Sequence, residues 1–251
     1  MKINYSIVSR GTEKYNNHGY MAISFDKENG YLFNSDHMTT NLTVKNDTLI
    51  FKNNYSISNI AISRFAIISR ILLERVNVKD NILICGLGNV GFSLLLELLK
   101  MGYKNISVYS RSIANDLSEL ENNYSVKINI TNKITNKFNT YIDTTGSSTI
   151  LSTVFNTVNP LSMIIILSTP REEKFLINPL MINRKSLSIY GAHEIFGVDL
   201  EFRKKLYNEI LEENKSIEKL LNKYIDIHTY SEKELTNIKN KKSNFIDILK
   251  Y

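Results

Sequence analysis

The sequence predicts an α/β fold whose larger part is a doubly wound parallel sheet. Three observations carry that prediction. Short apolar runs alternate with polar or helical stretches through residues 80–190, which is how parallel strands joined by crossover helices read. The first run, residues 81–85, leads directly into Gly86-Leu87-Gly88-Asn89-Val90-Gly91, a glycine-spaced turn of the kind that links the first strand and helix of such a sheet. A helix-length apolar stripe at residues 60–76 stands just ahead of that strand.

Taken in order, residues 1–58 are rich in Asn, Thr, Tyr and Phe, in runs such as Tyr31-Leu32-Phe33 and Thr48-Leu49-Ile50-Phe51. They read as a small β-rich module with turns. Residues 60–76 set apolar side chains on one stripe, with Arg64, Arg70, Glu74 and Arg75 as the charged positions, which predicts an amphipathic helix. The parallel sheet takes strands at 81–85, 106–109, 126–130, 140–142, 162–167 and 187–190, with a leucine-rich helix at 90–101. Beyond Gly191, residues 200–224 read as charged helix and residues 245–249 as a closing strand. Residues 59–190 thus form the parallel-sheet domain, and residues 1–58 join residues 191–251 in a smaller module.

Composition narrows the function classes. With 43% hydrophobic and 22% charged residues and only 3 prolines among 251, collagen-like and low-complexity chains are excluded. The lone cysteine, Cys85, excludes a disulfide framework and a multi-cysteine zinc site, and fits a reducing, cytoplasmic compartment. No signal-peptide layout opens the chain, and no apolar run approaches the roughly 20 residues that span a bilayer, so no membrane partner is expected. A net charge of +6 favours anionic partners. Its 31 Lys and Arg are scattered, with short clusters only at Arg203-Lys204-Lys205 and residues 239–242. With no nucleic-acid motif beside them they read as solvated surface, so a phosphorylated cofactor and an acidic substrate are the anions expected.

The glycine turn has a specific chemistry. Gly86 permits the tight turn, Gly88 lets the backbone approach a pyrophosphate, and Gly91 lets the helix pack closely on the strand. The first helical residues, Asn89 and Val90, then present backbone N–H groups and a positive dipole end to phosphate. This predicts a Rossmann dinucleotide-binding domain. An NAD-preferring site carries Asp or Glu at the end of the second strand, about 20 residues after the motif. Here that place holds Ser110-Arg111-Ser112. Hydroxyls and a guanidinium can bind a 2′-phosphate with charge assistance, where a carboxylate would repel it, so NADP(H) is the expected cofactor.

At this point the chain resembles the medium-chain dehydrogenase/reductase superfamily, the relatives of zinc alcohol dehydrogenase. Ser9-Arg10-Gly11-Thr12-Glu13 resembles the family's Cys-Gly-Thr-Asp segment, Arg64-Phe65-Ala66 lies in a helix like the one before its nucleotide domain, and Asp143-Thr144-Thr145-Gly146-Ser147 resembles its strand-end D-x-x-G. Residues 162–168, 187–193 and 227–230 resemble the following strand, the strand returning to the catalytic domain, and the C-terminal return. The resemblance implies that the terminal module is a shortened GroES-like catalytic domain. It adds Thr145, Gly146 and Ser168 to the cofactor site.

The departures matter as much. Arg10 stands where the zinc enzymes have a cysteine ligand, and the four-cysteine zinc lobe is missing, so the resemblance implies a truncated, zinc-free member. Thr12 takes the place of the family's proton-relaying hydroxyl. Arg10 can set a positive charge near the reacting oxygen, bind a substrate carboxylate, or form an ion pair with Glu13 or Asp36. Glu13 reads first as a scaffold residue. Four histidines, His18, His37, His193 and His228, show no i,i+4 spacing, so no metal constellation is expected. His37, after an apolar strand, and His193, at the carboxyl end of the last parallel strand, are the candidates for general acid or base.

The expected activity is hydride transfer between NADP(H) and a carbonyl or secondary alcohol without zinc, on a small-molecule or peptide substrate. One version is oxidation with decarboxylation of a β-hydroxy acid, such as a C-terminal threonine of a modified peptide. A non-catalytic NADP(H)-binding sensor or partner subunit and a quinone or enone reductase are the alternatives. The family's habit implies a homodimer, with residues 187–190 as the pairing edge.

Overall fold

Alternating apolar side chains near the N-terminus build an antiparallel ladder of β1 (Tyr5–Val8), β2 (Met21–Phe25), β3 (Asn29–Asn34) and β4 (Leu49–Lys52). The chain continues through α1 (Ile57–Arg75), β5 (Ile82–Cys85), α2 (Asn89–Lys100), β6 (Ile106–Tyr109), α3 (Ser118–Tyr124), β7 (Asn129–Thr131) and β8 (Thr140–Asp143). Then come α4 (Ser148–Thr157), β9 (Met163–Ile166), α5 (Pro179–Lys185), β10 (Ser188–Gly191), α6 (Leu200–Asn214), α7 (Glu218–Leu221), β11 (Ile225–Thr229), α8 (Glu232–Asn240) and β12 (Ile246–Lys250). The computed structural model describes residues 1–9, 13, 19, 21–110, 116–170, 176–194, 197–240 and 245–251. It divides into two units, Met1–Ile67 with Val198–Tyr251 and Ile68–Gly197.

The first unit holds a mixed sheet in the order β11-β12-β1-β2-β3-β4. Both ends of the chain enter it: β1 runs antiparallel to β12, with Ile7 opposite Ile248, and β11 runs parallel to β12. Ile7, Val8, Ile23, Ile248 and Leu249 are fully buried. The N-terminal half of α1 belongs to this unit, and here the structure corrects the amphipathic reading. Ser58, Asn59, Ser63 and Arg64 are buried along with Ile60, Ala61 and Ile62. Short polar side chains tolerate this because they bond locally. Ser63 Oγ donates to Asn59 Oδ1 at 2.9 Å, Asn59 Nδ2 to the Leu211 carbonyl at 2.9 Å, and Asn214 Nδ2 to Ser63 Oγ at 3.0 Å. These bonds tie α1 to α6 and pair the buried amides and hydroxyl that make them.

The second unit holds an all-parallel sheet in the order β10-β9-β8-β5-β6-β7. Counted from β5 as the first strand, this is the 3-2-1-4-5-6 order of a doubly wound dinucleotide fold. Its central strand is covered on both faces, with Ile82, Leu83, Ile84 and Cys85 all fully buried, as continuous apolar strands in parallel sheets require. Leu83, Cys85, Tyr141 and Ile164 form one core cluster with Val154 and Phe155 of α4. Among the described residues no helix is long and apolar enough to cross a membrane.

Two boundaries differ from the sequence reading. The strand expected at 126–130 is β7 at Asn129–Thr131, because Ser125 takes a left-handed turn (φ 52) on leaving α3. The helix expected at 200–224 ends at Asn214 and passes into a 3₁₀ turn and the short α7. There Ser216 Oγ donates to the Glu213 carbonyl at 3.0 Å, a local bond that competes with helix continuation.

A carboxylate lies inside the second unit, on one of its helices. Glu97 on α2 is fully buried, held by Arg70 at 2.6 Å and Lys100 at 2.8 Å. Both cations keep some access to water, which softens the loss when their partner is removed. We expect Glu97→Ala to lower unfolding free energy by about 2–3 kcal/mol, measured by urea denaturation.

Candidate functional site

The open-sheet rule places ligands where strand order reverses, outside the carboxyl ends of the first and fourth strands, here β5 and β8. Gly86 follows β5 at φ +106, a backbone that L side chains rarely adopt. A Cβ on Gly91 would lie 2.2 Å from the Gly86 carbonyl oxygen and 2.8 Å from Thr144 Oγ1, so the helix packs against the strand with no room to spare. A Cβ on Gly88 would meet nothing within 4 Å. No side chain caps α2 at its N-cap, Gly88. The helix end therefore keeps the geometry of an anion seat: N–H groups, dipole and a bare backbone approach.

β8 supplies the other half. Asp143, buried at its end, accepts from Thr145 N at 2.9 Å, Thr145 Oγ1 at 2.6 Å and Gly146 N at 3.1 Å. Thr144 Oγ1 donates to the carbonyls of Cys85 and Gly86 at 3.0 and 3.1 Å, bridging β8 to the glycine turn. Gly146 takes φ +64, and a Cβ there would sit 2.3 Å from the Thr169 carbonyl oxygen. Ser168 N donates to the Asp143 carbonyl at 3.2 Å, while its buried Oγ has no hydrogen-bond partner among the described residues.

The structure thus gathers Gly86, Gly88, Asn89, Val90, Gly91, Thr145, Gly146 and Ser168 at the carboxyl ends of β5, β8 and β9. Ser110 stands at the end of neighbouring β6, its N–H donating to the Thr131 carbonyl at 3.1 Å. Arg111 and Ser112 lie outside the described residues. Asp143 and Thr144, both in the D-x-x-G segment, join the predicted residues here. Their signal was a carboxylate and a hydroxyl within three residues of a glycine at a strand end, which is turn-binding chemistry. The thiol of Cys85 is no nucleophile, because burial and the Asp143 carboxylate push its pKa up.

In the first unit, His37 and Glu13 are buried together. His37 Nε2 lies 3.0 Å from Glu13 Oε2, and Nδ1 lies 2.9 Å from Ser6 Oγ, which in turn lies 3.0 Å from the Tyr251 hydroxyl. Burial pushes the Tyr251 phenol up to about 12, so it enters this chain as a neutral hydroxyl. Lys239 Nζ stands 3.7 Å from Glu13 Oε2. Gly19, at φ +78, leaves room for the imidazole, since a Cβ there would lie 2.4 Å from Nε2. Ser9 and Glu13 bond reciprocally, Ser9 N donating to Glu13 Oε1 at 2.7 Å and Glu13 N to the Ser9 carbonyl at 2.8 Å.

Both ring nitrogens of His37 are therefore engaged, and Glu13 is a scaffold residue that holds it. Arg10, Thr12 and His18 lie outside the described residues. His193, half-buried, follows β10, and Ala192 N beside it donates to the Ile166 carbonyl at 3.1 Å.

No family model matches this sequence, and no curated protein matches it. Solved structures do match in fold. TarJ of S. aureus is 15% identical, covering 99% of this chain and 89% of that one at a TM-score of 0.71. Galactitol-1-phosphate dehydrogenase from Escherichia coli is 11% identical, covering 100% and 91% at 0.73. YhdH of E. coli K-12, crystallised with NADPH, is 14% identical, covering 99% and 90% at 0.73. These neighbours are medium-chain dehydrogenase/reductases. At such identities the likeness is one of fold, and the fold found is the one the residue resemblance implied.

The glycine geometry separates two substitutions. Gly88→Ala is expected to keep stability within about 1 kcal/mol, and Gly91→Ala to lower it by about 2 kcal/mol or more. Thermal and urea denaturation of the two variants side by side would show it.

Proposed function

We propose that this chain is an NADP(H)-dependent oxidoreductase that moves a hydride between the nicotinamide and a carbonyl or secondary alcohol without a catalytic zinc. The carrying observation is the junction of β5 and β8, where Gly88 leaves its backbone bare and no side chain caps the start of α2, with the buried Ser168 Oγ, just beyond neighbouring β9, without a hydrogen-bond partner among the described residues. A dinucleotide fits those features. Gly86, Gly88, Asn89, Val90 and Gly91 would hold its pyrophosphate, and Thr145, Gly146 and Ser168 its remaining polar edge. When bound, the cofactor supplies the hydride acceptor or donor.

The choice of NADP(H) rests on Ser110-Arg111-Ser112 in place of an acidic residue, because a guanidinium pairs with a 2′-phosphate and a carboxylate repels it. Fold neighbours include proteins crystallised with NADPH, as YhdH and TarJ, and with NAD, as Bacillus subtilis YhfP, so they do not make that choice. In the alcohol-oxidising direction the hydroxyl proton must leave as the hydride does. Thr12 is the proposed carrier and Arg10 the charge that steadies the oxygen, with His37 and His193 as the acid–base candidates. The reciprocal Ser9 and Glu13 bonds fix the chain on either side of Arg10 and Thr12. The net charge of +6 suits an anionic substrate. No described residue singles out a β-hydroxy acid. We further propose that the chain pairs through β10, the edge strand of its parallel sheet, where Tyr190 is 39% exposed.

Calorimetric titration tests the reading. NADPH should bind more tightly than NADH, and Arg111→Ala should weaken NADPH by about tenfold or more, towards the NADH value. Absence of binding by either nucleotide would refute it. Nucleotide binding with no NADP(H)-coupled turnover on any carbonyl, alcohol or enone would favour the sensor reading instead. Sedimentation as a monomer at micromolar concentration would overturn the pairing through β10.

A further inference from the structure

We infer that, within the NADP(H) reading on which this rests, the Ser168 hydroxyl hydrogen-bonds the carboxamide of the nicotinamide and so orients the reacting ring. Asp143 puts that hydroxyl in place. Its main-chain carbonyl accepts from Leu167 N at 3.0 Å and Ser168 N at 3.2 Å, which draws the chain leaving β9 in beside the end of β8. Its carboxylate meanwhile gathers Thr145 and Gly146. Gly146 then leaves the space that Ser168 uses: a Cβ there would stand 3.2 Å from Ser168 Oγ and 2.3 Å from the Thr169 carbonyl oxygen.

The backbone around the hydroxyl is therefore bonded and close-packed, while Oγ itself is buried with no hydrogen-bond partner among the described residues. Burying a hydroxyl unpaired lowers stability, and alanine would fill the same place without that loss. A group left so at the rim of a ligand crevice has its partner in the ligand.

Position along the sheet says which part of the ligand that is. The bare backbone of Gly88 seats the pyrophosphate beyond β5, and Ser110, which opens Ser110-Arg111-Ser112, follows β6 on one side of it. The adenosine ribose with its 2′-phosphate belongs on that side. In the order β10-β9-β8-β5-β6-β7, strands β8 and β9 lie on the other side of β5, so the nicotinamide half runs over them. Thr145 and Gly146, after β8, meet the ribose next to the pyrophosphate. Ser168, after β9, is two strand spacings or about 10 Å from β5, and meets the ring.

A carboxamide offers an acceptor oxygen and two N–H donors, and a hydroxyl both donates and accepts. Ser168 as a whole residue is half-buried, so rotation about its Cα–Cβ bond carries Oγ from its place beside Gly146 into the crevice. A carboxamide held there stops the ring turning about its bond to the ribose, which fixes the face that a substrate meets.

The test is calorimetric titration of full-length wild type and Ser168→Ala with NADPH and with 2′-phospho-ADP-ribose, the same nucleotide without its nicotinamide. Ser168→Ala is expected to weaken NADPH by about tenfold and to leave 2′-phospho-ADP-ribose within about twofold. Urea unfolding of the ligand-free variant is expected at or above the wild-type midpoint, because the substitution removes an unpaired buried hydroxyl. Equal weakening of both nucleotides would overturn the inference by making Ser168 part of the shared seat. Unchanged NADPH affinity would overturn it by leaving the hydroxyl idle, and a lower midpoint would do so by giving it a structural role. In those three cases the wild type still binds NADPH and the cofactor reading stands, whereas a wild type that binds neither nucleotide overturns both.

Discussion

Gly91 has no space for a side chain, and the arrangement of the second unit follows from that. With the Gly86 carbonyl oxygen 2.2 Å from where a Cβ would be, α2 can sit directly against the end of β5. The same closeness brings Thr144 Oγ1 within reach of the Cys85 and Gly86 carbonyls, so β8 is fastened to the turn by a side chain and not only by the sheet ladder. Asp143 then gathers the backbone behind Thr144 by accepting from Thr145 and Gly146. A side chain at residue 91 would separate helix from strand and stretch these bonds together. The anion seat at Gly88 depends on them, because its N–H groups point usefully only if the helix end is held in place.

The first unit is organised differently, around a buried charge. His37 and Glu13 are enclosed together, and the ring is completed by Ser6 and extended to Tyr251. Such a network is stable only when every member is satisfied. Gly19 makes the room, and the paired Ser9 and Glu13 bonds hold the carboxylate end of the network.

Much of the parallel-sheet unit was legible because its rules are local. A fully apolar strand, a glycine-spaced turn and a leucine-rich helix announce β5 and α2 residue by residue, and the roles of Gly86 and Gly91 are backbone matters that spacing encodes. The first unit was legible in content and less so in detail. Its sheet joins β1 to β12, a pairing between chain ends that no local pattern specifies. The burial of α1 was hidden for a related reason. Arg64 reads as a charged, exposed position, and the buried Asn59 and Ser63 beside it find bonds from Leu211 and Asn214, some 150 residues on. The engagement of His37 was equally invisible, since Ser6 and Glu13 reach it from separate stretches of chain. What sequence reading recovers is the part of the fold whose causes lie within a few turns of helix or strand.

Two histidines of the first unit show how surroundings, not residue type, decide chemistry. His37 has a carboxylate on one nitrogen and a hydroxyl on the other. A hydroxyl can donate or accept, so a neutral ring satisfies both neighbours. His228 has a carboxylate facing each nitrogen, and a carboxylate only accepts. A neutral ring has one N–H for these two acceptors, and an imidazolium has one for each. The first arrangement lies buried. The second lies half-buried on β11, the edge strand of its sheet.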